Sequence, residues 1–144
     1  MRELCCSWLL RDGLMSKRLA VDWDGTLCED SWPGWGGWMP GSVQALHKLL
    51  EAGYDITVHS CRIGPTFPDG VTLRPPGQAE AERRIMREIL DAQGLREVRI
   101  YDPSMGKPSA DHYIDNKAIH YNGRPGAWNA ITERLLLAAG KEVE

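Results

Sequence analysis

A run of apolar residues, Leu19-Ala20-Val21, leads directly into the acidic segment Asp22-Trp23-Asp24-Gly25-Thr26-Leu27. In an extended segment successive side chains alternate between faces, so the carboxylates of Asp22 and Asp24 project from the same face. Gly25 can adopt backbone conformations that other residues avoid, which lets the chain turn sharply after the two acids. The pattern therefore predicts a strand that ends in a pair of acids and is followed by a turn.

Strand-like and helix-like patterns alternate along the rest of the chain. The predicted strands cover residues 19–23, 54–60, 97–101 and 112–114, and the predicted helices cover 41–52, 78–93 and 128–139. Ser42 is the predicted N-cap of the first helix, and Gly53 is its predicted left-handed C-terminal residue. This alternation predicts a three-layer α/β/α sandwich with a mostly parallel, Rossmann-like sheet. Ligands of such sheets bind at the carboxyl ends of the strands.

Composition narrows the class of protein. A chain of 144 residues with 42% hydrophobic content can bury one self-sufficient core. Its net charge of −3 gives no broad basic field, so we expect neither sequence-specific nucleic-acid binding nor membrane binding. No segment approaches the roughly 20 apolar residues of a membrane span. The four cysteines have neither disulfide-scaffold density nor zinc-site spacing, which predicts reduced thiols and a cytoplasmic protein.

The chain divides into an N-terminal extension and one domain. Residues 1–16 contain a short apolar segment without the features of a signal peptide, and Met15 offers a second possible start. We therefore predict a single domain over residues 17–144. Within it, residues 28–40 form a segment rich in Trp and Gly, which we call the flap.

The acidic segment resembles the first motif of the haloacid dehalogenase (HAD) superfamily, Asp-x-Asp-Gly-Thr, whose best-known members are magnesium-dependent phosphatases. The stretch 107–118 resembles the corresponding part of small bacterial and phage-encoded members. If the protein is phage-encoded, the expected compartment is the host cytoplasm. The resemblance spans residues 17–122. Ser60, Lys107 and Asp115 also follow successive predicted strands in the order that the family shows.

The resemblance implies a role for each of these residues. Asp22 is the expected nucleophile, and Asp24 is the expected acid and base. A Mg²⁺ ion is the expected cofactor, with Asp22, Asp115 and the backbone carbonyl of Asp24 as its ligands. Ser60, Lys107 and the backbone around Gly25 are the expected phosphate contacts.

Two acceptor side chains near the fourth strand are second choices as metal ligands. Asn116 stands where many HAD proteins have a second acid, so it would bind through a neutral oxygen or a water. Asp111 lies four residues before Asp115, too far back along an extended segment to reach the strand's end easily.

About 35 residues separate Asp24 from Ser60, and one helix and one strand use most of them. We therefore expect no large cap domain. Capless HAD proteins often act on macromolecules or borrow a neighbouring subunit as a lid, so a homo-oligomer is one expectation. In the flap, Trp35 and Trp38 either stack on a substrate or anchor the loop to the core, and we favour the packing role.

The resulting hypothesis is a Mg-dependent phosphohydrolase of small phosphomonoesters or of nucleotide or polynucleotide phosphate ends. A catalytically weak binding protein for a phosphorylated ligand or partner is the alternative, and a phosphotransferase lies between the two. A calcium loop starting at Asp22 would need Gly at Leu27 and Glu at Pro33, and it has neither.

Overall fold

The computed structural model describes residues 17–142, so the N-terminal extension predicted at residues 1–16 lies outside the described residues. The strands are β1 (Arg18–Val21), β2 (Asp55–Val58), β3 (Arg99–Ile100) and β4 (His112–Ile114). The α-helices are α1 (Ser42–Glu51), α2 (Gln78–Ala92) and α3 (Ala127–Ala138). Short 3₁₀ helices at Cys61–Ile63 and Pro103–Met105 follow β2 and β3. The order of strands and helices predicted from sequence is confirmed.

The four strands form one parallel sheet in the order β3-β2-β1-β4. Val21 at the end of β1 pairs with Val58 of β2 on one side and with Ile114 of β4 on the other. The order of connections reverses at β1, and in open α/β sheets the crevice at such a point is where ligands bind. The predicted parallel α/β architecture is confirmed, and it places Asp22 at this crevice.

The hydrophobic core lies on the face of the sheet that α1 and α2 cover. It contains alternate residues of β1 and β2 together with side chains from both helices, including Leu19, Val21, Ile56, Val58, Leu46, Met86 and Leu90. By contrast, α3 lies entirely within the described residues, and none of its residues is buried. The side chains of β4 are also exposed. Burial therefore fixes the β1–β2 part of the sheet much more tightly than the β4 part.

The start of α1 differs from the prediction. Gly41, with φ of 80°, is the N-cap residue, and no side chain caps the helix there. The hydroxyl of Ser42 instead donates to the carbonyl oxygens of Leu27 at 3.0 Å and Met39 at 2.8 Å. The prediction of Ser42 as N-cap is therefore wrong, because Gly41 takes that position and the Ser42 hydroxyl binds the residue before the flap and one near its end. Gly53, with φ of 95°, takes the left-handed conformation predicted after this helix.

No helical insertion of cap size interrupts residues 17–142. Within the same residues, no helix is both long enough and apolar enough to cross a membrane. The surroundings of the site are formed by the segments that follow the strands and by the flap.

Candidate active site

The carboxyl ends of β1, β2 and β4 meet through backbone hydrogen bonds. The N–H of Asp22 donates to the carbonyl of Ile114 at 3.0 Å, and the N–H of His59 donates to the carbonyl of Val21 at 3.0 Å. A cavity of about 580 Å³ lies at this edge of the sheet. Its lining residues are Asp22, Asp24, Asp30, Trp32, His59, Cys61, Pro68, Asp115 and Lys117. The structure thus brings three of the predicted site acids, Asp22, Asp24 and Asp115, into one cavity.

Asp22 is a half-buried carboxyl among other acids. Burial raises its pKa from 3.8 to about 6, and the nearby charge of Asp115 contributes in the same direction, as does that of Asp24 to a smaller extent. Hydrogen bonds from the backbone of Trp23 and the side chain of Thr26 partly oppose the shift in pKa. The crowding means that a cation at this point would relieve electrostatic repulsion.

Asp24 forms a two-point ion pair with Arg62. The Nε of Arg62 donates to Oδ2 of Asp24 at 3.1 Å, and its Nη2 donates to Oδ1 at 2.6 Å. Arg62 is only 1% exposed, although it carries a full charge. The ion pair satisfies this buried charge and also fixes the plane of the Asp24 carboxylate.

The carboxylate and carbonyl oxygens at this edge are of the type that Mg²⁺ prefers as ligands. Among residues 17–142, no cluster of three or more His, Cys, Asp and Glu side chains has the arrangement of a metal site. Asp22 and Asp115 nevertheless provide two carboxylates, which are close enough for the charge of Asp115 to raise the pKa of Asp22. Mg²⁺ sites commonly use one or two carboxylates and complete the shell with waters and substrate phosphate. The backbone carbonyl of Asp24 remains the predicted third protein ligand.

The predicted phosphate contacts Ser60 and Gly25 are both engaged within the protein. Ser60 is 6% exposed, and its hydroxyl oxygen accepts the N–H of Arg62 at 3.1 Å. The hydroxyl hydrogen of Ser60 stays available as a donor, so its contact with phosphate stays a prediction. The N–H of Gly25 donates to the carbonyl of Cys28 at 2.8 Å, which leaves this amide without a free hydrogen for phosphate in this conformation.

Asn116 lies against the turn that follows the acids. A Cβ placed on Gly25, whose φ is 80°, would lie 2.5 Å from Nδ2 of Asn116, so a side chain there would be strained and would displace the Asn116 amide. The backbone N–H of Asn116 donates to Oγ1 of Thr26 at 3.1 Å, and Thr26 is in turn 3.5 Å from Oδ2 of Asp22. Asn116 therefore ties the end of β4 to the turn beside Asp22, and its role as a metal ligand stays a prediction.

Asp111 is held near the opposite end of the sheet. Its Oδ2 accepts the backbone N–H of Arg18, the first residue of β1, at 2.7 Å. Asp22, by contrast, follows the last residue of the same strand. This placement agrees with ranking Asp111 behind Asp115 as a metal ligand.

Lys107 lines a neighbouring cavity of about 760 Å³ rather than the one that contains Asp22. Its Nζ lies 4.4 Å from the ring centroid of Tyr113, which lines the same cavity. His59 and Asp115 line both cavities, so they form the boundary between them. Burial lowers the pKa of His59, and the charge of Lys107 acts in the same direction, whereas Asp115 opposes it. The contact predicted between Lys107 and a phosphate at Asp22 stays a prediction.

The tryptophans of the flap have different surroundings. Trp35 and Trp38 pack against the buried ring of Trp23, with centroid distances of 5.8 Å and 5.6 Å. This geometry favours the packing role for both residues, and their contact with substrate stays a prediction. Trp32 is 41% exposed and lines the cavity with the acids. Trp32 was not predicted as a site residue, because neighbouring tryptophans in an irregular loop have no periodicity that separates inward from outward positions.

Similar solved structures support the fold. No family model matches the chain, and no curated protein does. A conserved protein from Bacteroides thetaiotaomicron is similar with a TM-score of 0.51 and 23% identity, over 88% of this chain and 93% of that one. The chain has a haloacid dehalogenase-like fold. At this level of identity, the similarity concerns the fold alone.

A second similar structure is the D,D-heptose 1.7-bisphosphate phosphatase from B. bronchiseptica, in complex with magnesium and phosphate. Its TM-score is 0.39 and its identity 20%, over 83% of this chain and 63% of that one. This similarity is too low to indicate anything about the chemistry of this chain.

Two further residues at the site, Arg62 and His59, were not predicted from sequence. Both belong to the segment His59-Ser60-Cys61-Arg62, which superficially resembles a cysteine-phosphatase loop but lacks the spacing of its nucleophile and arginine. Their proximity to the acids of β1 depends on the pairing of β1 with β2. The position of Arg62 two residues after Ser60 was the available signal.

Proposed function

We propose that this HAD-like chain is a phosphohydrolase that hydrolyses phosphomonoesters through an aspartyl phosphate on Asp22. The observation that carries the proposal is the convergence of Asp22, Asp24 and Asp115 in one cavity at the edge of a parallel sheet. A carboxylate nucleophile, a second carboxyl for proton transfer and a third carboxylate for a cation are the groups that this chemistry needs.

In the first step, a carboxylate oxygen of Asp22 attacks phosphorus, and the bond between phosphorus and the ester oxygen breaks. The departing oxygen takes a proton from the Asp24 carboxyl and leaves as an alcohol. In the second step, a water attacks the phosphorus of the aspartyl phosphate while Asp24 accepts its proton. The bond to Asp22 then breaks, which releases inorganic phosphate and restores both acids.

The proposed cofactor is Mg²⁺, held by the carboxylates of Asp22 and Asp115 and by the backbone carbonyl of Asp24. The ion would supply positive charge that offsets the acids and the substrate phosphate. Ser60 and Lys107 are proposed to donate hydrogen bonds to phosphoryl oxygens, Lys107 after its side chain moves from the ring of Tyr113. Asn116 is the proposed alternative oxygen ligand.

The proposed substrates are phosphorylated small molecules, nucleotides and the phosphorylated ends of polynucleotides. The open cavity and the absence of a cap-sized insertion within residues 17–142 support substrates with bulky leaving groups. The cytoplasm is the proposed compartment, and a homo-oligomer is a proposed arrangement in which a second subunit would cover the site.

The test is phosphate release from a panel of nucleotides, sugar phosphates and 5′- and 3′-phosphorylated oligonucleotides, with and without Mg²⁺. We expect release by the wild type with Mg²⁺ and at least a thousandfold loss in Asp22→Asn, since the nucleophile is removed. Asp91→Asn is the matched control, because Asp91 lies on the surface of α2 and pairs with Arg87 at 2.9 Å.

Two outcomes would contradict the proposal. Equal activity of wild type and Asp22→Asn would exclude Asp22 as the nucleophile. Tight binding of a phosphorylated ligand by the folded, Mg²⁺-loaded protein without any release would favour the alternative, a binding protein.

A further inference from the structure

Arg62 is a buried cation whose role the proposed chemistry leaves open. In addition to its two hydrogen bonds to Asp24, its Nη1 donates to the carbonyl of Pro33 at 3.2 Å and its Nη2 donates to the carbonyl of Gly34 at 2.8 Å. Glu82 of α2 is 3.8 Å from Nη1. One guanidinium group therefore contacts the end of β1, the flap and α2.

The flap also covers the face of this group. The Cζ of Arg62 lies 4.1 Å from the ring centroid of Trp35, which packs against the buried ring of Trp23. A cation over an indole face is attracted by the negative electrostatic potential of that face, and the attraction is stronger where water is excluded. The flap therefore holds the guanidinium in place, and the guanidinium holds the flap next to Asp24.

Stability alone does not explain this arrangement. A buried ion pair generally contributes no more than well-packed apolar side chains would, because removing both charges from water costs so much. What the pair provides is geometry, since a planar fork fixes both the position and the plane of a carboxylate. Lysine has a point charge on a flexible stem and cannot replace that fork.

We propose that Arg62 is a positioning residue that holds the Asp24 carboxyl and the flap in the arrangement needed for proton transfer to the leaving group. The inference rests on the proposed phosphoryl transfer, in which Asp24 supplies that proton. Each carboxyl oxygen has a second lone pair, so one oxygen of Asp24 can carry the proton while both hydrogen bonds to the guanidinium remain. Arg62 acts on the reaction through the Asp24 carboxyl that it binds and is not proposed to contact the substrate.

The test compares two esters of similar size in the Mg²⁺-loaded protein. The alcohol of benzyl phosphate needs a proton to leave, whereas the phenolate of p-nitrophenyl phosphate leaves readily without one. We expect Arg62→Lys to lower kcat/KM at least about tenfold for benzyl phosphate and less than about threefold for p-nitrophenyl phosphate. Asp24→Asn should show the same selectivity for the leaving group, and the double variant should be no slower than Asp24→Asn.

Arg74 provides the matched control. It is also buried, at 8% exposure, and donates to the carbonyl oxygens of Thr66 and Cys61, each at 2.9 Å. Its guanidinium stacks on Phe67 at 5.1 Å. Arg74→Lys should therefore change kcat/KM for the two esters by the same factor. A uniform loss in Arg62→Lys as well would reduce Arg62 to a structural residue and overturn the proposal.

A thermal-melting cycle separates this inference from the proposed function. Arg62→Lys and Asp24→Asn should each lower Tm, and the double variant should lower it by less than the sum, because both single changes break the same pair. Additive losses would overturn the inference by showing that the two side chains are not coupled. If the wild type releases phosphate from neither ester and from no substrate of the panel described above, the proposed function fails and the positioning role fails with it, while non-additive melting still establishes the contact.

Discussion

The flank of the cavity formed by β1 and β2 is buried, whereas the flank formed by β4 is exposed. Val21 pairs with a residue on each flank: Val58 has no exposed surface, and Ile114 is 42% exposed. On the first flank, Arg62 and the flap fix Asp24 through side-chain contacts. On the second, backbone hydrogen bonds of a three-residue strand place Asp115. Two acids of one site can thus be positioned by different kinds of interaction, one dependent on packing and the other on the sheet ladder.

Replacement of Trp23 should have the largest effect on stability. Its ring has no exposed surface and contacts both Trp35 and Trp38, so Trp23→Ala removes packing from the end of β1 and from the flap. We expect a loss of about 3–5 kcal/mol in the free energy of unfolding, measured by urea denaturation. Trp128→Ala on α3, where the ring is 66% exposed, should cost less than about 0.5 kcal/mol. Similar losses in the two variants would contradict the contrast between the flanks.

Val58 and Ile114 allow a closer comparison, because both pair with Val21. Val58→Ala leaves a cavity in the core and should cost about 2 kcal/mol. Ile114→Ala removes a larger side chain but from a partly exposed position, so it should cost less than about 1 kcal/mol. Both values are measured by urea denaturation under the same conditions, each against the wild type. A larger loss for Ile114→Ala would mean that β4 is covered more completely than its exposed side chains indicate.

A smaller effect of opposite sign is expected at Asp22, which lies where the two flanks meet. Its pKa is about 6 in the folded protein against an ordinary value of 3.8, so the folded state disfavours the charged form. The stability that protonated Asp22 contributes is present below pH 4 and is lost as pH rises through about 6. Asp22→Asn should therefore raise the free energy of unfolding above pH 6 in Mg²⁺-free buffer.

For a fully buried group, a shift of one pKa unit corresponds to about 1.4 kcal/mol. Because the carboxyl of Asp22 is only half-buried, we expect a gain of about 1–2 kcal/mol, which is less than its whole shift would give at that rate. Urea denaturation at pH 4, 6 and 8 provides the measurement, with the gain growing along this series. Asp91→Asn on the surface of α2 is the control and should change stability by less than about 0.5 kcal/mol at each pH. A gain in Asp22→Asn that is already complete at pH 4 would contradict the assignment of the pKa.

Much of the fold could be predicted from sequence because it depends on local patterns. The apolar periodicity gave α2 to within one residue of its end, and the short run at 112–114 was identified as a strand. The paired acids and Gly25 placed the candidate site at the end of β1. Each of these signals lies within a few neighbouring residues.

The contacts that were missed connect distant parts of the chain. Arg62 meets Asp24 across 38 residues, and nothing in the local sequence of either residue specifies the partner. The N-cap prediction failed for the same reason, because Ser42 donates to Leu27, which lies 15 residues earlier. Burial also decides which flap tryptophan faces the cavity, and burial follows only from the packed fold.

The close approach of Asn116 to Gly25 limits how the site can change shape. The amide of Asn116 already fills the space that a side chain at position 25 would occupy. The turn after Asp24 and the end of β4 therefore lie in direct contact at this point. Trp32 of the flap and Pro68 also line the cavity, and neither belongs to this turn or to β4. Exchange of these loop residues would therefore change the shape of the cavity and leave the acids in place.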